Sequence, residues 1–425
     1  MDVCYVLHNT LSLTIMINLI QTIFLAIAVF STFGCAKKES PFKRVDNQVE
    51  DKKDPEVEVP PFHSTIKLFD GGTDGYHSFR IPALIKASNG TLIAFAEGRV
   101  SNNRDYGNIN LVYKTSADNG LTWSALKEVV GVGPGTWGNP TAVVDESNGR
   151  IWLFLSWNSG DHNQSGTDGF ERIDSWGDRK VYVTYSDDHG NSWSPQQDLT
   201  STLLPSGYTW DAMGPGVGIQ KTKAGATGRL IIPAIGRNIY SDDHGQTWQY
   251  QLLPTGTSEG TIAESVYGGL IRNDRAVSSQ WNLSKTRRTS TGTINTFSSW
   301  VAADALPDPA CQASMMRYSD NRSRIIFLNS ASTSTRGKML LRVSYDEGTT
   351  WPISKRVYDD LTEDQAVAQG KGGYSSLAKT GDNMIGALIE INEDTSSSTT
   401  SHRSIDFHKF NLSWILNGAS EPSIR

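Results

Sequence analysis

An eight-residue pattern that occurs four times constrains the fold of this chain more than any other feature of its sequence. The pattern reads S-x-D-x-G-x-[ST]-W, and a weaker copy that lacks the Asp and the Gly spans residues 290–297. The four full copies occupy residues 116–123, 186–193, 241–248 and 344–351. Copies that recur roughly every 50 residues indicate a repeat architecture in which each repeat is one supersecondary unit.

The chemistry of the pattern is that of a hairpin turn. The glycine supplies a positive φ angle, the aspartate accepts hydrogen bonds from turn amides, and the tryptophan packs beneath the turn. Short runs of β-branched and aromatic residues, such as 151–155 and 324–328, separate the copies, and no long stretch has a helical period. The sequence therefore predicts an all-β propeller in which the repeats are scaffold.

Charge and cysteine content exclude several classes of function. The net charge of −6 is opposite in sign to the basic surface that nucleic-acid binding requires. Cys4 and Cys35 lie in or beside an N-terminal apolar segment, which leaves Cys311 in the folded part and predicts no disulfide framework. We find no CxxC pair, His/Cys cluster or EF-hand-like loop, so we predict neither a metal site nor a cofactor.

The N-terminal region is typical of an exported protein. Residues 11–34 are mostly apolar and are followed by Cys35 and a polar stretch. A small residue before a cysteine is similar to a bacterial lipoprotein signal with Cys35 as the lipidated residue, and a cleaved signal or a retained membrane anchor are the alternatives. We divide the chain into a signal or anchor (1–35), a flexible tether (36–61) and a propeller domain (62–425). On the lipoprotein interpretation, the protein would be held in a bacterial outer membrane or periplasm.

A second motif lies upstream of the first repeat. The run S-F-R-I-P-A at residues 78–83 resembles the F/Y-R-I-P motif of sialidases, and the four repeats resemble the Asp-boxes that sialidases share with some non-enzymatic propellers. Together these motifs make residues 64–411 similar to an exo-α-sialidase of the bacterial Asp-box type. The resemblance implies a six-bladed β-propeller and a retaining glycoside hydrolase that removes terminal α-linked sialic acid from glycans and glycoproteins.

The substrate that this resemblance implies carries a carboxylate on its anomeric carbon. Arginine binds such a flat anion in a forked geometry and stays charged. The family uses three arginines, and the resemblance assigns these roles to Arg80, Arg275 and Arg336. Arg275 follows Glu259 by 16 residues across an expected hairpin.

The same carboxylate also bears on the choice of nucleophile. An anionic side chain would be repelled by it, whereas a neutral tyrosine needs only a neighbouring carboxylate to remove its proton. Sialidases use a tyrosine, as an exception among glycosidases, and the matching residue here is Tyr374. Glu259 corresponds to the base, and Glu264 is a rival because it also precedes a hairpin.

The resemblance assigns the remaining roles to polar residues near strand ends. Asp105 corresponds to the general acid and base, Arg99 to a contact with the C4 substituent of the sugar, and Glu390 to the residue that orients Arg80. At Asn139 the chain departs from the family, which has an aspartate there. We expect Asn139 to line the pocket and to shift substrate preference.

Other functions stay open on the sequence alone. A glycosidase for the related sugar KDN or a trans-sialidase would keep every catalytic residue, and a non-catalytic Asp-box propeller would act as a binding module. The joint presence of acid, base and tyrosine favours an enzyme. We expect the loops 159–178 and 276–288 to form the rim of the site, and membrane contact only through the N-terminal segment.

Overall fold

The computed structural model describes residues 59–422 apart from 132, 278–284 and 393–401. The chain separates into two units, Met1–Glu56 and Val57–Arg425, and every described residue belongs to the second. The predicted signal with Cys35 and most of the predicted tether lie outside the described residues. Among the helices of the described part, none has the length and apolar character to cross a membrane.

Six four-stranded antiparallel meanders, here called blades, make up the fold. The strands are numbered along the chain, and β1 (His63–Phe69) pairs with the last strand, β27 (Ser404–Phe410). Blade 1 contains β2 (Ser78–Lys86), β3 (Leu92–Arg99), β4 (Ile109–Ser116) and β5 (Lys127–Val130). Blade 2 contains β6 (Thr136–Val144), β7 (Ile151–Asn158), β10 (Arg179–Ser186) and β11 (Gln197–Asp198).

The other four blades repeat this meander. Blade 3 contains β13 (Ile219–Gln220), β14 (Leu230–Ala234), β15 (Arg237–Ser241) and β16 (Gln249–Leu252). Blade 4 contains β17 (Thr257–Glu264), β18 (Leu270–Ala276), β19 (Thr286–Gly292) and β20 (Val301–Pro307). Blade 5 contains β21 (Ser314–Ser319), β22 (Arg324–Ser330), β23 (Met339–Ser344) and β24 (Ile353–Arg356). Blade 6 contains β25 (Ser375–Lys379), β26 (Ile385–Ile391), β27 and β1.

Short elements lie between the blades. The strands β8 (His162–Asn163) and β9 (Glu171–Arg172) pair with each other inside the long β7–β10 connection, and β12 (Gly216–Val217) pairs in parallel with β6. The helical turns are α1 (Thr200–Leu203), a 3₁₀ turn (Asn321–Ser323), α2 (Glu363–Ala368) and α3 (Leu412–Leu416).

The first strands of the blades contact one another around a closed ring, in the order β2, β6, β13, β17, β21, β25 and back to β2. This ring confirms the predicted all-β, six-bladed propeller. The arrangement brings the starts of six segments that are distant in sequence to one central axis. Side chains at those strand starts therefore converge, whichever blade they come from.

Each repeated motif joins the third and fourth strands of its blade, and all four copies have the same internal hydrogen bonds. In the first copy, Ser116 Oγ donates to Asp118 Oδ1 (2.7 Å) and accepts from the Gly120 amide (2.8 Å), while Asp118 accepts from the Thr122 amide (2.9 Å). The aspartate therefore closes the turn, as predicted. The weaker copy at 290–297 lies at the equivalent place in blade 4, between β19 and β20.

The motif also joins neighbouring blades. Trp123 of blade 1 packs edge-on against Phe407 of blade 6, with ring centroids 5.0 Å apart. A Cβ at Gly120, whose φ is +86°, would come within 2.4 Å of the same Phe407 ring. Trp248 of blade 3 packs similarly on Phe154 of blade 2 (4.7 Å). The Gly and Trp of the motif thus have a tertiary role in addition to their place in the turn.

Candidate active site

A central cavity of about 880 Å³ opens where the first strands converge. Its lining comes from several blades and from the long β7–β10 connection. The lining residues that the sequence singled out are Arg80, Arg99, Asp105, Asn139, Glu259, Arg275, Arg336 and Tyr374. The cavity therefore brings together every predicted catalytic and substrate-binding residue.

A tyrosine–glutamate pair lies in this cavity. Tyr374, just before β25, donates its hydroxyl proton to Glu259 of β17, with Oη 2.7 Å and 2.8 Å from the two carboxylate oxygens. Arg275 Nη1 contacts both groups, at 2.6 Å from Glu259 Oε2 and 3.0 Å from Tyr374 Oη. Burial and the Glu259 charge raise the pKa of Tyr374 well above 10, although Arg275 and Arg336 oppose this. The resting hydroxyl is therefore neutral and hydrogen-bonded to a group that can accept its proton.

Backbone space at this point is limited. A Cβ at Gly373 would come within 2.7 Å of Glu390 Oε2, so a larger residue would displace the carboxylate that supports the site. This close approach explains why glycine precedes Tyr374 in the sequence.

Three arginines of the cavity lie around the Tyr374 side chain. The guanidinium carbons of Arg80 and Arg336 each lie 5.4 Å from the centroid of the Tyr374 ring. Arg336 also donates to the Ala310 carbonyl (3.2 Å). With Arg275 on the hydroxyl, three cations converge on one side chain. Such a cluster is suited to binding a carboxylate.

Glu390 of β26 holds Arg80 in place. Its two oxygens accept from Arg80 Nε (3.1 Å) and Nη2 (3.2 Å), and they also accept from the backbone amides of Ile81 (2.8 Å) and Tyr374 (2.9 Å). Burial favours the neutral acid, but Arg80 and these donors outweigh it and lower the pKa of Glu390 to about 2. Glu390 thus makes the contact with Arg80 that the family resemblance implies.

Asp105 is the second carboxylate that contacts Arg80, and it lies on the loop between β3 and β4. Its Oδ1 is 2.8 Å from Arg80 Nη1 and 2.7 Å from Arg99 Nη2, and its side chain is 69% exposed. Desolvation beside the cavity wall favours the neutral acid, yet Arg99 and Arg80 outweigh it and lower the pKa of this carboxyl. In the unliganded site Asp105 is thus ionised and paired.

Glu97 and Arg179 are two cavity residues to which the sequence analysis gave no role. Glu97 accepts from Arg99 Nη2 (2.6 Å) and from the Asn139 amide (3.0 Å). Arg179 donates to Asn139 Oδ1 (2.5 Å), and its guanidinium lies 4.4 Å from the Trp210 ring. Burial lowers the pKa of Arg179 to about 10. Arg179 has no local sequence signal, since its partner Asn139 lies on another strand. Glu97 lies two residues before Arg99 on β3, and its second contact, the Asn139 amide, is on β6.

Glu264, the rival base, lies elsewhere. It accepts from Lys221 Nζ (2.5 Å) and from the Thr222 amide (2.7 Å), and it does not line the cavity. Among the predicted rim residues, the 159–178 loop contributes Asn163, Gln164, Ser165 and Thr167 to the lining. The 276–288 loop contributes Ala276 and Val277, and its residues 278–284 lie outside the described part. The described residues contain no His/Cys/Asp/Glu cluster that could hold a metal ion.

Comparisons with known proteins identify the family of the chain. Residues 133–387 match the family described as BNR repeat-like domain. The exo-alpha-sialidase of Aspergillus fumigatus is 45% identical over 397 residues, which covers 86% of this chain and 94% of that protein. The exo-alpha-sialidase of Arthroderma benhamiae is 45% identical over 364 residues, covering 81% of this chain and 86% of that protein.

Solved structures share the fold. The leech intramolecular trans-sialidase superposes with a TM-score of 0.70 at 21% identity and covers 84% of this chain and 71% of its own. The Hadza microbial sialidase Hz136 gives 0.68 at 24% identity, with 83% and 69% covered. A six-bladed propeller with this cavity defines a glycoside hydrolase of the sialidase class. At 45% identity over most of its length, the chain belongs to the exo-α-sialidase family.

Proposed function

We propose that this protein hydrolyses terminal α-linked sialic acids on glycans and glycoproteins, with retention of configuration and through a covalent tyrosyl intermediate. The observation that carries the proposal is the Tyr374–Glu259 hydrogen bond beneath three converging arginines. A nucleophile paired with a base and facing a carboxylate-binding cluster fits a sugar that bears its carboxylate on the reacting carbon.

Binding begins with the substrate carboxylate. It pairs with Arg80, Arg275 and Arg336, and for Arg80 it must compete with Asp105, which is 2.8 Å away in the unliganded site. Once the substrate anion occupies Arg80, that arginine no longer stabilises ionised Asp105, and the two carboxylates repel each other. Both effects raise the pKa of Asp105 and favour its protonated form, which is the form a general acid needs.

The first chemical step forms the glycosyl-enzyme. Tyr374 Oη attacks the anomeric carbon and passes its proton to Glu259, while the bond to the leaving oxygen breaks and Asp105 protonates that oxygen. Arg275, 3.0 Å from Oη, stabilises the negative charge that develops on the phenolic oxygen. In the second step Asp105 removes a proton from water, the water attacks the same carbon, and Tyr374 leaves and recovers its proton from Glu259.

The proposal predicts two variants with large losses of activity. Tyr374→Phe removes the attacking oxygen and should lower turnover of an aryl α-sialoside by roughly 10³-fold or more. Glu259→Gln keeps the shape but cannot accept the proton, and we expect a loss of roughly 10²- to 10⁴-fold. Initial rates, together with NMR of the anomer released first, measure both turnover and retention.

Glu264→Gln is the matched control for Glu259→Gln, because both glutamates lie on β17. Its turnover should remain close to wild type in protein whose folding is verified by circular dichroism. Loss of activity in Glu264→Gln but not in Glu259→Gln would contradict the assignment of the base.

Assays on KDN glycosides and with sugar acceptors distinguish the proposed sialidase from a KDN glycosidase or a trans-sialidase. A protein inert on all of these substrates would be a binding module.

We also propose that the apolar residues 11–34 direct export of the protein. Lipidation at Cys35 stays a prediction, and the comparisons give no support to an anchor in a bacterial outer membrane, since the two relatives at 45% identity are fungal. Mass spectrometry of the mature N-terminus tests export and lipidation together, and an intact residue 1 on cell-retained protein would contradict export.

A further inference from the structure

The loop that carries Asp105 is attached to the neighbouring strands through its backbone, where the Asn103 carbonyl accepts from Arg99 Nη1 (2.5 Å) and the Gly107 carbonyl accepts from Thr136 Oγ1 (2.9 Å). Residues 100–108 join β3 to β4, and the loop is closed by the Val100 amide bonding to the Asn108 carbonyl (3.1 Å). A second cavity of about 210 Å³ lies behind it, and the Arg104 and Tyr106 side chains line that cavity. Open space on both sides means that close packing does not hold Asp105 in place.

Substrate binding weakens the remaining restraint. The polar partners of the Asp105 side chain are Arg80 and Arg99, and the proposed mechanism transfers Arg80 to the substrate carboxylate. Asp105 must then lie near the leaving oxygen although it has lost Arg80, one of its two charged partners. A restraint on the side chains next to Asp105 would compensate for the loss of Arg80.

Asp168 contacts the residues on both sides of Asp105. It belongs to the connection between β8 and β9, and one of its carboxylate oxygens, Oδ2, is 2.8 Å from Arg104 Nη1 and also accepts the hydroxyl of Tyr106. The Tyr106 ring packs edge-on against Phe170 from the same connection, at 4.7 Å between centroids. The β8–β9 connection therefore holds the Asp105 loop at positions 104 and 106.

The contact between Asp168 and the Asp105 loop is of modest strength. Arg104 and Asp168 are 46% and 48% exposed, and an isolated exposed pair contributes little. Here one carboxylate accepts two donors and an aromatic contact adds to them. The network restrains a loop without fixing it, and it leaves the Asp105 carboxyl itself free to exchange protons.

We propose that Asp168 is a positioning residue for the acid step, acting through Arg104 and Tyr106 to hold Asp105 at the leaving oxygen. This inference rests on the proposed role of Asp105 as acid and base. It predicts a specific kinetic signature. Asp168 should matter most where the leaving group needs a proton, and little where it does not.

Substrates with different leaving groups test this. Sialyllactose loses a sugar alcohol that requires protonation, whereas an aryl α-sialoside loses a phenolate that leaves readily without it. The parameter to compare is kcat/KM, which reports steps only through formation of the glycosyl-enzyme. Asp168→Asn should lower kcat/KM on sialyllactose by about three- to tenfold and on the aryl sialoside by less than about twofold.

The variant and its control suit the local backbone. Asp168 has a φ of +61°, a conformation that asparagine adopts readily, so Asp168→Asn removes the charge without backbone strain. Asp161→Asn is the control, because Asp161 lies on the same long β7–β10 connection, just before β8, but pairs with His162. It should leave both substrates unaffected. The double variant Asp168→Asn/Tyr106→Phe should lose less transition-state stabilisation, measured as the change in ln(kcat/KM) on sialyllactose, than the two single variants lose in sum.

Asp105→Asn separates this inference from the proposed function. It should slow sialyllactose far more than the aryl sialoside. If Asp105→Asn shows this difference and Asp168→Asn slows both substrates equally or neither, the positioning role is wrong and the proposed function stands. If Asp105→Asn itself does not distinguish the leaving groups, its assignment as the acid fails, and the inference about Asp168 fails with it.

Discussion

At the scale of single residues, the charges of the cavity decide which groups are ionised before substrate arrives. Tyr374 is neutral because its surroundings are buried and contain an acceptor carboxylate, even with two arginines nearby. Asp105 is ionised because two arginines hold it, whereas the acid role proposed for it requires the protonated form. On the proposed mechanism, the site is therefore ready for proton transfer from Tyr374, whereas Asp105 becomes an acid only when the substrate changes its pairing.

Asp105→Asn should separate binding from turnover. The variant removes the anion that competes with the substrate carboxylate for Arg80, so a carboxylate-bearing inhibitor should bind as tightly as to wild type or several-fold more tightly. Turnover of sialyllactose should fall by roughly 10²- to 10⁴-fold. Calorimetric titration with an unsaturated sialic acid analogue gives the affinity, and weaker binding to the variant would show that Asp105 contributes to the carboxylate site instead of competing for it.

At the scale of elements, the repeated turn combines a local and a tertiary function. The serine, the aspartate and the threonine or serine that follows close each hairpin. In the first three copies, the glycine and tryptophan also pack against the preceding blade of the ring. The hydrogen-bonded core of each motif lies away from the catalytic cavity. Changes to it should therefore affect stability and leave the chemistry unchanged.

Ser241→Ala tests this separation in blade 3. The buried Ser241 hydroxyl donates to Asp243 (2.7 Å) and accepts from the Gly245 amide (2.7 Å). Its removal leaves that amide unpaired and should lower the free energy of unfolding by about 1–3 kcal/mol, with kcat/KM unchanged at a temperature where the variant is folded. Denaturant unfolding measures the free energy of unfolding. Ser201→Ala is the control for loss of a serine hydroxyl, because Ser201 is exposed on α1. It should have little effect on the free energy of unfolding.

At the scale of the whole molecule, the ring of blades is completed by pairing the first strand with the last. His63 of β1 and His408 of β27 stack with ring centroids 5.4 Å apart, and their ring nitrogens lie 3.1 Å apart. The other nitrogen of His408 lies 3.2 Å from the Tyr358 hydroxyl. Burial, with His63 and Lys371 nearby, lowers the pKa of His408 well below 6.5.

This closure should weaken in acid. Above pH 6.5 the imidazole is neutral in both the folded and the unfolded state, and the closure contributes fully to stability. Below pH 6.5 the unfolded chain takes up a proton that the folded state resists, so stability falls until the pH reaches the depressed pKa of the folded state. The contribution of His408 to the slope is at most about 1.4 kcal/mol per pH unit.

His408→Gln should reduce that slope. Denaturant unfolding at pH 6.5 and pH 5.5 gives the loss of stability for wild type and variant, and the loss should be smaller in the variant whatever its absolute stability. An identical pH dependence in the two proteins would mean that His408 stays neutral in the unfolded chain too, or that it protonates in the folded one.

The sequence by itself determined the all-β class and the repeated turns, and it predicted eight of the residues that line the cavity. These features are encoded locally, because an Asp, a Gly and a Trp within eight residues are enough to specify a turn, and because the family motifs mark strand starts. The choice between Glu259 and Glu264 was different. Both lie on β17 and precede the same hairpin, and the preference for Glu259 rested on one spacing, the 16 residues to Arg275.

Only the tertiary structure decided which of the two glutamates faces Tyr374, 115 positions along the chain. It also brought Glu97, Arg179 and Asp168 to the site, although none of them has a motif. The physical reason is that a ring of blades creates contacts between strand starts and loops that are remote in sequence. A side chain's partners there depend on how whole sheets pack, which eight-residue patterns do not encode.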